Sequence, residues 1–244
     1  MNRGKLPRIG THERSAAREP LLARSKTEGR LQLRRGQSIP LDWIGTDEVL
    51  RVEQGTLTMQ SPRPGGGRRT ALLLLPGDIF SRDAVWPVDA TKLTAASQVV
   101  IRRSSLENGN AVVLSAGLAR LVGRLATHAL MLRELTAEQR LASFLVELAL
   151  CGGHRTPSGC AFELPFSRTD MASYLGLNPD TMSRLISRLK AKRLLTTPSR
   201  GLMMVPSLAG LAALTPLASA LRRLWPAAEC GALLDREPAP IPSQ

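Results

Sequence analysis

Between positions 114 and 135, Leu114, Leu118, Leu121, Leu125, His128, Leu132 and Leu135 follow one another at alternating spacings of four and three residues. That is a period of 3.5 held over about three heptads, which a strand cannot satisfy. The stretch must be a helix of some 25 residues, about 37 Å long, carrying a narrow apolar stripe. A narrow stripe suits pairing with one other helix, and a self-complementary stripe suits a two-fold dimer. These seven residues are therefore the expected dimer interface, within a dimerisation helix over 108–135. A core helix buried within its own chain is the competing reading.

The pattern before this helix is different. Turn signals recur at Arg35-Gly36-Gln37, Glu53-Gln54-Gly55, Pro62 to Gly67 and Leu75-Pro76-Gly77-Asp78. Between them, 49–52, 56–60, 69–75 and 98–102 read as short strands. Regularly spaced short strands predict an antiparallel β-roll or jelly roll over 31–107. Aromatic residues make up 3% of the chain, so Leu, Ala and Val must build the core. Gly65-Gly66-Gly67 is a hairpin tip and not a phosphate-cradling loop, because no Lys-Ser/Thr follows it.

After the helix, Thr136 with Gln139 three residues on forms a capping box, which opens a new helix over about 137–151. Residues 151–160 read as a loop. The next segment, SRTDMASYLGLNPDTMSRLISRL over 167–189, carries the most information. Ser167 and Asp170 start a short helix over about 168–175. Gly176 and Leu177 make a turn, Asn178 caps a second helix, and Pro179 takes its first position, where a missing N–H is harmless. Met171, Ala172, Leu175, Leu177, Met182 and Leu185 are spaced to share one small core between two crossed helices. That is a helix-turn-helix, whose second helix enters the major groove. Residues 194–197 and 202–205 form a hairpin that would be its wing.

Charge points the same way. The chain has 33 Lys+Arg against 20 Asp+Glu, a net +13. The excess sits in residues 1–35 and in 165–200, at +7 and +5. A compact basic block on a helix-turn-helix implies a polyanionic partner, double-stranded DNA. Asp180, Thr181, Ser183 and Arg184, near the start of the second helix, are the expected base contacts. Arg reads guanine through two bonds, Asp accepts from cytosine and Ser serves either. Arg168, Ser187, Arg188, Lys190 and Arg200 are the expected phosphate contacts, with Lys192 beside them. Residues 1–30 are expected to be a basic disordered arm and 226–244 a flexible tail.

These residues resemble the CRP/FNR superfamily of bacterial transcription regulators, and its FNR/FixK-like branch in particular. LPFSRTDMASYLGLNPDTMSRLISRLKAKRLL is similar to that branch's winged helix, and TAEQRLASFL to the helix after its dimerisation helix. EVLRVEQGTLTMQ and LLPGDIF resemble two turns of its β-roll. The resemblance implies an α+β fold: an N-terminal antiparallel β-roll of the cyclic-nucleotide-binding type, a long dimerisation helix and a C-terminal winged helix-turn-helix over 136–225. It implies a homodimer on palindromic promoter DNA, half-sites like TTGAT or TTGAC, and RNA polymerase as a further partner.

Two departures shape the expected function. Cyclic-nucleotide-binding relatives follow PGDIF with Gly, Glu and then a phosphate-pairing Arg. Here Ser81, Arg82 and Asp83 follow Phe80, and no Arg stands between Arg82 and Arg102. The cysteine cluster of iron–sulfur relatives is missing as well, since the first cysteine is Cys151. No cofactor and no metal are therefore expected, and no catalytic constellation stands out. His128 is expected as a polar seam residue, and Cys151 and Cys160 as inert thiols. Three cysteines, no long apolar span and no apolar signal core predict a cytoplasmic protein without a membrane anchor. The expected function is a sequence-specific transcription regulator, an activator, working without cyclic nucleotide or iron–sulfur cluster. An effector-independent repressor of the same architecture and a β-roll regulatory subunit of an enzyme remain as rivals.

Overall fold

Alternation along the first strands decides where the first core lies. In the computed structural model, which describes residues 29–62, 68–82, 92–105, 111–164, 166–199 and 201–235, eight strands lie between residues 29 and 105. They are β1 Gly29–Leu33, β2 Ser38–Pro40, β3 Glu48–Gln54, β4 Leu57–Pro62, β5 Arg68–Leu74, β6 Ile79–Ser81, β7 Lys92–Ala95 and β8 Val99–Ser105. They form two antiparallel four-stranded sheets, ordered β1-β8-β3-β6 and β2-β7-β4-β5. Leu50, Val52, Leu57, Met59, Leu72, Leu74, Leu93 and Ile101 point between the sheets and are buried. The expected β-roll is present. The sequence reading missed β1, β2, β6 and β7, because strands of three to five residues are too short to show a period.

β5 departs from alternation, and the reason is structural. Leu72, Leu73, Leu74 and Leu75 are all buried. Leu72 and Leu74 belong to the roll core, while Leu73 and Leu75 belong to a second core built with the helical half. A continuous apolar run marks a strand covered on both faces.

Helix α1, Ala111–Glu134, follows the roll, and α2, Ala137–Gly152, follows α1. The Thr136 box between them is formed: the Thr136 hydroxyl accepts the Gln139 N–H, and the Gln139 side chain accepts the Thr136 N–H. Every residue over 141–150 is buried, so α2 is the axis of the second core. Part of the expected loop 151–160 is instead a short hairpin, β9 His154–Thr156 with β10 Gly159–Glu163. β10 also pairs with the wing, which places it inside a four-stranded sheet.

The remaining elements are α3 Arg168–Tyr174, α4 Pro179–Ala191, β11 Thr196–Ser199, β12 Leu202–Val205, α5 Leu208–Ala212 and α6 Ala218–Leu224. The expected tail is corrected over its first ten residues. Residues 226–235 include a short 3-10 turn, Gly231–Leu234, and Cys230 and Leu233 are buried in the second core. The expected arm over 1–30 is corrected at its end, where Gly29 and Arg30 open β1; residues 1–28, the tail beyond 235 and the hairpin tip at 63–67 lie outside the described residues.

Candidate nucleic-acid interface

The caps fix where α3 and α4 begin. The Ser167 hydroxyl accepts the Asp170 N–H at 3.0 Å, and Asn178 Oδ1 accepts the Asp180 N–H at 2.8 Å. Between the helices, Gly176 takes φ +62, a left-handed conformation that favours glycine. The Leu177 N–H then donates to the Ala172 carbonyl at 2.8 Å, closing the turn tightly. Met171, Ala172, Leu175, Met182, Leu185, Ile186 and Leu189 are buried. Each full-sized apolar side chain among them contributes about 1.5–3 kcal/mol. That burial fixes the rotation of α4 about its own axis, and so selects the face it turns outward.

On the outward face Asp180, Arg184, Ser187 and Arg188 are exposed, and Thr181, Ser183 and Lys190 are half-buried. Arg168 is exposed at the start of α3. Arg184 makes no ion pair among the described residues. The basic half of α4 is more engaged. Lys190 Nζ donates to Thr197 Oγ1 of the wing at 2.6 Å. Glu138 of α2 lies 2.8 Å from Lys192 Nζ and 4.0 Å from an Arg188 guanidinium nitrogen. Ser187 spends its hydroxyl on the Ser183 carbonyl at 3.0 Å. Arg200, expected at the wing tip, lies outside the described residues.

The α1 stripe divides in two. Leu118 is 47% exposed, Leu125 39%, and Val122, which the heptad reading left out, 64%. Leu114 is half-buried beside them, and Leu132, also half-buried, lies against the Gly176 turn. Leu121 is used inside the chain, where it is 4% exposed and packs into the roll core. Leu135 packs on the second core, and His128 stacks on Tyr174 of α3 with ring centroids 4.0 Å apart. The single seven-residue seam is therefore corrected. A straight α-helix drifts about 20° per heptad against a 3.5 period, so a stripe of that period spreads over two adjacent faces. One face meets the chain's own roll and winged helix, and the other remains open.

The inward face carries an ionic joint that sequence reading did not find. Arg124 is buried and binds the Asp78 carboxylate of the LPGD turn, Glu147 Oε1 of α2 at 2.7 Å and the Leu73 carbonyl at 3.3 Å. Asp78 also accepts the Leu75 N–H at 2.7 Å. The Arg120 and Arg124 guanidiniums lie 5.1 and 5.8 Å from the Trp225 ring centre. Burial opposes the charge on Arg124, but Glu147 and Asp78 outweigh it and hold the guanidinium firmly protonated. Burial, with the positive charge of Arg124, pulls His128 down to about 4. One arginine thus ties roll, long helix and α2 together. A buried cation with two acidic partners far away in sequence leaves no local pattern to read.

The cysteines are withdrawn from chemistry. Burial pushes the Cys151 and Cys160 thiols well above their ordinary value, which keeps them as unreactive thiols. The Cys160 thiol donates to the Ala149 carbonyl of α2 at 3.9 Å, and Cys230 lies beside it. Among the described residues no group of three His, Cys, Asp or Glu could hold a metal, and no helix is long and apolar enough to cross a membrane.

Comparison with known proteins places this architecture. The model of the Crp-like helix-turn-helix domain matches residues 139–214. The nitrogen fixation regulation protein FixK of Rhizobium meliloti is 28% identical over 151 residues, covering 61% of this chain and 69% of that protein. The transcriptional activator FnrA of Stutzerimonas stutzeri is 28% identical over 192 residues, covering 75% and 78%. The activator FnrL of Cereibacter sphaeroides is 30% identical over 167 residues, covering 64% and 67%. Among solved structures, FixK2 of Bradyrhizobium japonicum superposes with a TM-score of 0.61 at 23% identity, covering 78% of this chain and 98% of its own. With a β-roll, a long helix and a capped helix-turn-helix in this order, the chain belongs to the CRP/FNR family of DNA-binding transcription regulators, in its FNR/FixK-like branch, and is not an enzyme.

Proposed function

We propose that this chain acts as a homodimeric activator that reads an inverted-repeat operator, with neither cyclic nucleotide nor iron–sulfur cluster as effector. The observation that carries the DNA reading is the first turn and a half of α4, where Asp180, Thr181, Ser183 and Arg184 lie at an N-terminus fixed by Asn178 and Pro179. Arg184 reads a guanine in each half-site, and Arg168, Ser187, Arg188, Lys190 and Arg200 hold phosphates, with Lys192 beside them. The dimer reading is supported by the open face of α1. Leu114, Leu118, Val122, Leu125 and Leu132 pair with the same residues of a second copy about a two-fold axis. Leu121, His128 and Leu135 are assigned to the chain's own packing instead. Activation is supported by relatives whose names describe transcriptional activators. On promoter DNA, RNA polymerase is the proposed further partner.

The absence of a cyclic nucleotide is supported by the segment after Phe80, where Ser81 and Arg82 replace Gly-Glu. The Arg82 guanidinium turns to the Ile44 carbonyl at 3.4 Å. The test of the whole reading is sedimentation of the V122E/L125E variant together with DNA titration. The variant is expected to be a folded monomer that has lost operator binding. An unchanged dimer, or a monomer that binds the full operator as tightly as the parent, contradicts the proposal.

A further inference from the structure

Two cations on the DNA-facing helix already face an oxygen anion from another element. Glu138, in the first turn of α2, reaches across to Lys192 Nζ at 2.8 Å and to Arg188 at 4.0 Å. Its side chain is 27% exposed, and those of Arg188 and Lys192 are 57% and 44% exposed. A DNA phosphate would take these distances and this charge. The fold of α2 does not require the reach. The Thr136 and Gln139 N–H groups at its start are served by their own box, and a carboxylate near a helix start is favoured wherever its side chain points. The base-reading residues Asp180, Ser183 and Arg184 form no bond to Glu138 among the described residues, so the contact lies within the phosphate-binding half alone.

We propose that Glu138 stands in for a DNA phosphate in the free protein and must be displaced when DNA binds, so that it sets the general affinity without altering which bases are read. The inference rests on reading Arg188 and Lys192 as phosphate contacts. Because phosphate contacts are independent of sequence, the competition acts alike on operator and unrelated DNA. Because the pairs are exposed, its size is modest, about three- to fivefold in affinity.

The experiment titrates operator and unrelated DNA with the full chain and its variants over a range of salt. E138Q should tighten both DNAs by the same factor of about three to five per protomer, leave base preference unchanged and steepen the salt dependence by about one per protomer. E138D keeps the charge and shortens the reach, and should give a smaller tightening in the same direction. The control D42N changes the net charge equally on an exposed turn of the roll and should leave both affinities unchanged. In an R188A/K192A background E138Q should have no effect. The proposal is overturned if E138Q weakens binding, which would make Glu138 a positioning residue. It is equally overturned if E138Q acts undiminished in that background, or if D42N does the same, which would make the effect one of net charge. Failure of the underlying phosphate reading shows separately: the R188A/K192A chain itself would then bind as tightly as the parent.

Discussion

Arg184 and Arg188 stand one turn apart on α4, are both exposed, and carry opposite expectations. Arg184, near the helix start, is proposed to meet base edges, so Arg184→Ala should cost about 1–3 kcal/mol per half-site and relax preference at one base position. Arg188, toward the other end, is proposed to meet phosphate, so Arg188→Ala should weaken all sequences alike and reduce the salt slope by about one per half-site. Titration over single-base operator variants separates the two, and a uniform loss for Arg184→Ala would contradict its assignment. His128 gives a residue-scale expectation of a different kind. Its folded pKa is lowered to about 4, chiefly by burial, against an ordinary value of 6.5. Above pH 6.5 it is neutral in both states. Below that the unfolded chain takes up a proton that the folded chain refuses, so stability falls as pH drops toward 4, by about 3 kcal/mol at most. The melting temperature should therefore drop on acidification, and His128→Phe, which keeps a ring against Tyr174, should drop less steeply. Parallel pH profiles for the two proteins would refute this account of His128.

At the scale of elements, α1 joins everything, and its two faces call for different tests. Arg124→Ala would leave Glu147 without its cation and Asp78 with Arg120 alone, 3.8 Å away, at a cost of about 3–5 kcal/mol. Chemical denaturation should show that loss, and a change under 1 kcal/mol would mean the joint contributes little. Leu121→Ala should likewise destabilise the folded chain by about 2–5 kcal/mol while leaving the open face intact, because Leu121 fills the roll core. What sequence could reveal follows the same division. Thr136-Gln139, Ser167, Asn178-Pro179 and Gly176 are local chemistry, and each occupies the cap or turn its residue type requires. The core of the helix-turn-helix was legible for the same reason, since its partners lie within about fifteen residues of one another. The split of the α1 stripe was not, because Leu121 and Leu125 look alike until the roll arrives to cover one of them. The Asp78–Arg124–Glu147 joint spans residues far apart in the chain, and the packing of Cys230 and Leu233 depends on a pocket that distant elements create.

For the whole molecule, the second core joins Leu73 and Leu75 of the roll with α2, α3 and α4, so the helix-turn-helix is carried directly on the roll. Its reach toward DNA is then a property of the assembled chain, and in a two-fold dimer two copies of α4 present themselves to one face of the duplex. Recognition helices related by such an axis sit about one helical turn, roughly 34 Å, apart. The central claim is that two copies of this chain read one inverted repeat through the first turns of α4. Selection of bound sequences from a random double-stranded DNA pool with the full chain tests it most directly. The expected outcome is enrichment of an inverted repeat with a G-containing half-site, its two centres about one helical turn apart. Enrichment of a single half-site without its dyad mate, or no enrichment over the starting pool, would contradict it.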